Sequence, residues 1–185
     1  MADLCYKLMG EEDLHGFDCG NPSVSNMIDQ TYYACLLREA RAYCVYLKVK
    51  DDQEILVGAY SVSIDTLDVK NAVSPLADYY SREPPFRAMV HLDYIAVNSK
   101  VQDHGIGTAI LEYIVLQARS LYREWPVRLL VLDALRDKVA WYEKRGFSAV
   151  YEDDPDPHST TVKMYLDLMP GEDFQRLSEY VESNS

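Results

Sequence analysis

Residues 89–132 carry the pattern that most limits the fold. Met89–Val97 (MVHLDYIAV) alternates, so that Met89, His91, Asp93, Ile95 and Val97 face opposite to Val90, Leu92, Tyr94 and Ala96. From Gly105 the apolar spacing lengthens to that of a helix, with Ile106, Ala109, Ile110, Tyr113, Ile114 and Leu121 on the inward side. Val127–Leu132 is then a continuous apolar run between Pro126 and Asp133, as in a strand covered on both faces. Two strands joined through a helix predict a crossover connection, which leaves them parallel.

The remaining segments add strands and helices around this centre. A short strand is expected at Leu4–Met9. Asn21-Pro22 starts a helix to about Glu39, with Val24, Met27, Ile28, Tyr32, Cys35 and Leu36 sharing a face. Ala42–Val49 and Ile55–Ile64 read as strands joined by a hairpin turn at Asp51-Asp52-Gln53. Ser74–Pro85 holds three prolines and reads as irregular. Asp137–Arg145 is helical and stops at Gly146, a natural left-handed position. Phe147–Tyr151 and Thr160–Asp167 are strands separated by the acidic loop 152–157, and a C-terminal helix begins near Gly171. The order β, α, β, β, β, α, β, α, β, β, α predicts an α/β protein with a mixed sheet.

Length and charge bound what such a fold does. The 185 residues fit one domain, with a core at about 40–168 and a helical tail at about 171–185. Eighteen basic against thirty acidic residues give a formal charge of −12. A field of that sign repels phosphate backbones and attracts cations, so it argues against nucleic acid and for a small-molecule or peptide amine. No apolar run reaches membrane-span length and the first residues are not those of a signal peptide, so the expected location is the cytoplasm, away from membranes. Cys5, Cys19, Cys35 and Cys44 form no C-x-x-C pair, and His15, His91, His104 and His158 are not grouped with them. No metal site is expected, and the thiols read as reduced small hydrophobes.

Two motifs carry chemistry. Gln102-Asp-His-Gly105-Ile-Gly107-Thr108 lies between the strand at 89–97 and the following helix. Glycines at a helix entry remove side chains where a ligand approaches, and the N–H groups of that first turn point outward at the positive end of the dipole. A pyrophosphate suits such a turn. The spacing is neither that of a P-loop nor that of a dinucleotide-binding strand–helix unit. The second motif is Trp141-Tyr142-Glu143-Lys144-Arg145-Gly146-Phe147, whose phenol can serve a thiolate leaving group as an acid.

Together, Q-x-x-G-x-G-T before a helix and W-Y-E-K-R-G-F thirty-odd residues later resemble the GCN5-related N-acetyltransferase (GNAT) family, over roughly 40–168. The resemblance implies a mostly antiparallel twisted sheet with a central parallel pair flanked by helices. It implies acetyl-CoA as co-substrate, with the backbone of Ile95, Ala96 and Val97 facing the pantetheine arm where the family's sheet opens. It also implies that the amides of Gln102, Asp103, His104, Gly105, Ile106, Gly107 and Thr108 hold the pyrophosphate. Tyr142 matches the family's tyrosine that acts on the thiol. His104 departs from the pattern, because many members carry Arg there. Asp93 and His91, on one face of the key strand, are the candidates for the base that deprotonates the amine.

A narrower resemblance joins Phe17-Asp-Cys-Gly-Asn-Pro-Ser-Val-Ser-Asn-Met-Ile28 to the opening of GNAT toxins that acetylate aminoacyl-tRNA. Ser25-Asn26 and Met27-Ile28 depart from that opening, and the arginines of the chain are scattered. The main expectation is acetyl transfer to a primary amine that enters near Phe17, Tyr33 and the loop 74–87. Two alternatives stand beside it: a toxin acting on charged tRNA, and a non-catalytic module that binds acyl-CoA. Self-association as a homodimer stays open.

Overall fold

The computed structural model describes residues 3–11, 13–14, 16–50, 53–73, 86–153 and 156–183. The expected irregular stretch 74–85, most of the hairpin turn at 51–53 and part of the acidic loop at 154–155 lie outside the described residues. The strands are β1 (Leu4–Leu8), β2 (Ala40–Lys48), β3 (Glu54–Asp68), β4 (Phe86–Val97), β5 (Leu129–Leu135), β6 (Ser148–Ala149) and β7 (Thr161–Asp167). The helices are α1 (Pro22–Leu36), α2 (Ile106–Glu124), α3 (Val139–Glu143) and α4 (Gly171–Ser183). The strands are hydrogen-bonded in the order β1-β2-β3-β4-β5-β7-β6. The sheet is mixed and mostly antiparallel; β4 and β5, joined in the chain through α2, are its parallel pair.

The chain divides into two compact units, one of Met1–Asp65 with Val90–Val115 and the other of Thr66–Met89 with Leu116–Ser185. In the first, β1 runs antiparallel to β2, from Leu4 opposite Leu47 to Leu8 opposite Tyr43. β2 runs antiparallel to β3, but Val45 faces Gly58 while Tyr46 faces Leu56, so Val57 is an extra, bulged residue on β3. α1 begins where the sequence places it, because Asn21 Oδ1 accepts the N–H groups of Ser23 and Val24 and Pro22 occupies the first turn. Its buried face is narrower than the apolar pattern implies. Ile28 and Thr31 are buried, whereas Met27 and Leu36 lie out in solvent. The contact line runs along Val24, Ile28, Thr31 and Cys35; Met27 and Leu36 fall on opposite flanks of that line. Thr31 is tolerated inside because its hydroxyl donates to the Met27 carbonyl at 2.7 Å.

The second unit centres on Leu67, Val69, Met89, Leu129, Val131, Val150 and Tyr165. β5 pairs antiparallel with β7, from Leu129 opposite Asp167 to Leu135 opposite Thr161. Arg128 grips Asp167 through Nε at 2.9 Å from Oδ1 and through a second nitrogen on Oδ2, a two-pronged pair that closes one end of the β5–β7 ladder. The helix expected at 137–145 is shorter: a 3-10 turn at Arg136–Lys138 leads into α3, and Gly146 closes it at φ 86°. The strand expected at 147–151 reduces to Ser148–Ala149, since the Val150 carbonyl is taken by the N–H of Val73 rather than by a strand neighbour. Among the described residues no helix is long and apolar enough to cross a membrane.

Candidate active site

The turn that leads from β4 into α2 is built by hydrogen bonds on both of its sides. Asn98 donates its N–H to the carbonyl of the bulged Val57 at 2.9 Å, and its side chain caps the 3-10 turn Ser99–Val101 by accepting from Lys100 N–H. The Gln102 side-chain amide donates twice, to the Val97 carbonyl at 3.0 Å and to the Cys19 carbonyl at 2.9 Å. Asp103 and Gly105 then take left-handed conformations, φ 63° and 78°, which turn the chain into the first turn of α2. Among the described residues, no atom beyond its immediate chain neighbours comes within 4 Å of a Cβ placed on Gly105. Ile106, Gly107 and Thr108 form the first turn of α2, at the positive end of its dipole. A helix entry of this kind is where backbone N–H groups and the positive end of the dipole can receive an anion. His104 is exposed, with Nδ1 2.6 Å from the Gln102 carbonyl oxygen. The segment 102–108 therefore carries an imidazole and the Asp103 carboxylate, and no arginine.

β3 meets α2 and the end of β4 closely at Gly58. A Cβ there would stand 2.7 Å from Ile110 Cδ1 and 2.9 Å from the Ala96 carbonyl oxygen. Only a residue without a side chain lets α2 and the end of β4 come this near to β3. Ala96 is buried, and Ile95 and Val97 beside it are half-buried. The alternation read along 89–97 holds: Val90, Leu92, Tyr94 and Ala96 are buried, and His91, Asp93, Ile95 and Val97 are half-buried on the other face. Met89, read with the latter set, is buried as well.

On that half-buried face, His91 Nδ1 stands 3.0 Å from Asp93 Oδ1. Asp93 also accepts the hydroxyls of Ser61 on Oδ2 and Ser63 on Oδ1, each at 2.7 Å. Burial by itself raises the pKa of this carboxyl; the hydrogen bonds from His91, Ser63 and Ser61 outweigh it and hold the group below the usual carboxylate range. An ionised carboxylate has no proton to give, so His91 Nδ1 is the donor in this pair. The two sequence candidates for the base thus come together with unequal roles. The serines were missed, although Ser61-x-Ser63 on β3 alternates with the same period as His91-x-Asp93 on β4.

Tyr142, in the second unit, is buried in the single turn of α3. Its ring meets the edges of Trp141 and Phe147, with centroids at 4.8 and 5.6 Å. The Tyr142 carbonyl accepts from the N–H groups of Arg145 and Phe147, which ties the Gly-Phe turn back onto α3. Arg145 covers the Trp141 ring at 3.8 Å and donates to the Trp141 carbonyl. Burial pushes the Tyr142 phenol up to about 12, against a smaller opposing effect of the Arg145 charge. The hydroxyl is therefore held in its protonated form at neutral pH.

The other expected site residues are less central. Phe17 packs with Cys19, Ile28, Ala59, Tyr94 and Ala96 in a core cluster, and Tyr33 is largely exposed. All four cysteines are free thiols; Cys19 and Cys44 are buried and Cys5 and Cys35 half-buried. Among the described residues no group of three His, Cys, Asp or Glu side chains is arranged to hold a metal.

Comparison with known proteins bears on these features. No curated protein matches the sequence. Solved structures share the fold over nearly their whole length. A bacterial toxin superposes with TM-score 0.74 at 17% identity, covering 98% of this chain and 97% of the toxin. A tyrosine-to-phenylalanine mutant of KacT gives 0.71 at 17% identity, covering 94% and 98%. AtaT complexed with acetyl-methionyl-tRNAfMet gives 0.69 at 17% identity, covering 95% and 99%. Residues 39–149 match the model of the acetyltransferase (GNAT) domain, a span that takes in β4, the glycine turn, α2 and Tyr142. On that match, over more than half of its length, the chain belongs to the GNAT acetyltransferase family.

Proposed function

We propose that this acetyltransferase moves an acetyl group from acetyl-CoA to a primary amine by direct attack, with residues 1–185 acting as one catalytic domain. The observation that supports the reading is the left-handed, uncrowded backbone at Gly105 where the chain enters the first turn of α2. Gln102 to Thr108 would hold that group, and the backbone of Ile95, Ala96 and Val97 would lie along the pantetheine arm. When bound, acetyl-CoA supplies the activated acetyl carbonyl as a thioester.

The protein's own groups then divide the proton work. His91 Nε2 accepts the proton that the attacking amine gives up, and Asp93 orients the ring through Nδ1 and steadies its charged form. A main-chain N–H near Ile95 donates to the carbonyl oxygen as negative charge gathers there. Tyr142 donates a hydrogen bond to the departing sulfur. A thiol of pKa about 8.5 is a stronger acid than a phenol at about 12, so this contact stabilises the thiolate without requiring full proton transfer.

One observation favours a more specific acceptor. The fold shared with AtaT and KacT extends to the N-terminal third, outside the matched family domain, and the Phe17–Asn21 segment there is bonded to the glycine turn. In this second reading the amine is the α-amino group of an aminoacyl-tRNA. A thiol-release assay with polyamines, free amino acids, Lys-bearing peptides and charged tRNA separates the readings. Release with small amines or peptides supports the general enzyme, and release with charged tRNA alone supports the second reading. Tight acetyl-CoA binding without release to any acceptor supports a binding module and overturns both. Gly105→Glu, which fills the open mouth, is expected to abolish acetyl-CoA binding in the same assay; normal binding would remove the cradle from the account.

A further inference from the structure

We propose that the Gln102 side chain is a positioning residue that couples the cofactor cradle to the Phe17–Asn21 segment, so that filling the one orders the other. The inference rests on the reading of Gln102–Thr108 as the seat of acetyl-CoA, and it concerns a part of Gln102 that this reading does not use.

The geometry is specific. A single amide nitrogen spends both of its N–H groups on carbonyls from separate stretches of chain: Val97, the last residue of β4, and Cys19, in the loop that opens α1. Ser99, three residues before Gln102, adds two more links to the same loop, from its N–H to the Asp18 carbonyl at 2.8 Å and from its hydroxyl to Asp18 Oδ2 at 3.2 Å. Inside the loop, Asp18 Oδ1 accepts from Gly20 N–H at 2.7 Å, and Asn21 caps the first turn of α1. Displacement of Gln102 is thereby passed through Cys19 to the cap of α1. At its other end, the Gln102 carbonyl lies 2.6 Å from His104 Nδ1, and the turn continues at once into left-handed Asp103. An anion drawing the cradle amides inward pulls on this residue.

The chemistry required of the side chain is two N–H donors at the reach of Gln. Arg meets that demand, with five N–H groups on a longer stem; Glu has the length of Gln but no N–H, and Met has neither donor nor acceptor strength. A residue that merely holds the loop in place would change its mobility equally with and without ligand. A coupling residue changes its response to ligand.

The test is amide hydrogen exchange at Gly20, Ser23 and Val24 of the full chain, with and without saturating acetyl-CoA, beside a calorimetric Kd. In the wild type and in Gln102→Arg, acetyl-CoA is expected to slow exchange at these amides at least about fivefold, the low end of ordinary coupling between sites. In Gln102→Met that slowing is lost even at acetyl-CoA concentrations that saturate the variant by its own calorimetric Kd. Gln102→Glu gives the same loss and stands in should the Met variant not fold. Slowing in Gln102→Met or Gln102→Glu equal to that of the wild type overturns the proposal, as does its loss in Gln102→Arg. A wild type that binds acetyl-CoA without any slowing overturns the coupling and leaves the cofactor reading intact. One that binds no acetyl-CoA overturns both.

Discussion

Half-burying a carboxylate on a strand face strips away solvation, and Asp93 regains it from three donors, His91, Ser61 and Ser63. The same donors keep the group ionised, which suits it to orient His91 and makes it a poor base. The folded carboxyl titrates below its unfolded value of about 3.9, so it contributes stability above that pH. The contribution disappears as pH falls through the folded value. The stability advantage of the wild type over Asp93→Asn is therefore expected to shrink as urea unfolding is repeated from neutral pH down into the acid range. An advantage that is constant with pH would mean the charge plays no part. Tyr142 makes the opposite case, a buried phenol held protonated. Tyr142→Phe keeps the ring contacts with Trp141 and Phe147 and loses only the hydroxyl, so kcat should drop at least about tenfold with acetyl-CoA affinity little changed. Unaltered turnover would take the phenol out of the reaction.

Elements show what the sequence could and could not disclose. The β4–turn–α2–β5 centre was legible because a two-residue period, a glycine turn and a helical period follow one another without overlap. The N-cap of α1 was legible in Asn21-Pro22, and the stop of α3 in Gly146. The burial of α1 was not, because apolar residues on the flanks of a helix look the same in sequence as those on its contact line. The Ser61 and Ser63 partners of Asp93 were hidden because they sit on another strand, and one chain's pattern does not disclose register between strands. Gly58 was unremarked for the same reason: its need for a bare Cα comes from Ile110 and Ala96, both distant in sequence. Gly58→Ala should accordingly cost about 1–3 kcal/mol in urea unfolding. The cause is contact rather than backbone strain, since φ at Gly58 is not positive. A loss well under that range would show that Ile110 and β4 can move aside.

At the scale of the whole chain, a formal charge of −12 acts with opposite sign on an anionic donor and on the cationic acceptor of the proposed reaction. Acetyl-CoA is an anion approaching a like-charged protein, and residues 102–108, proposed to receive it, carry Asp103 and His104 and no Lys or Arg. Its association rate should rise as salt increases from about 0.02 to 0.2 M, over which the Debye length contracts from roughly 20 to under 10 Å. For a cationic acceptor kcat/KM should fall over the same range. Stopped-flow binding and steady-state assays measure the two. If kcat/KM for the acceptor also rises with salt, the acceptor is not a cation.

The packing around α3 has an optical consequence. The chain has two tryptophans, Trp125 and Trp141. Trp125 is 62% exposed, while Trp141 is half-buried under the Arg145 guanidinium with the Tyr142 ring at its edge. Replacing the solvent-facing indole by phenylalanine leaves one tryptophan, lodged against the phenol on which thiolate departure is proposed to depend, and excitation at the red edge selects it over the tyrosines. The protein thus has a built-in fluorescent reporter, whose emission wavelength and quenching follow events at that phenol without any attached dye.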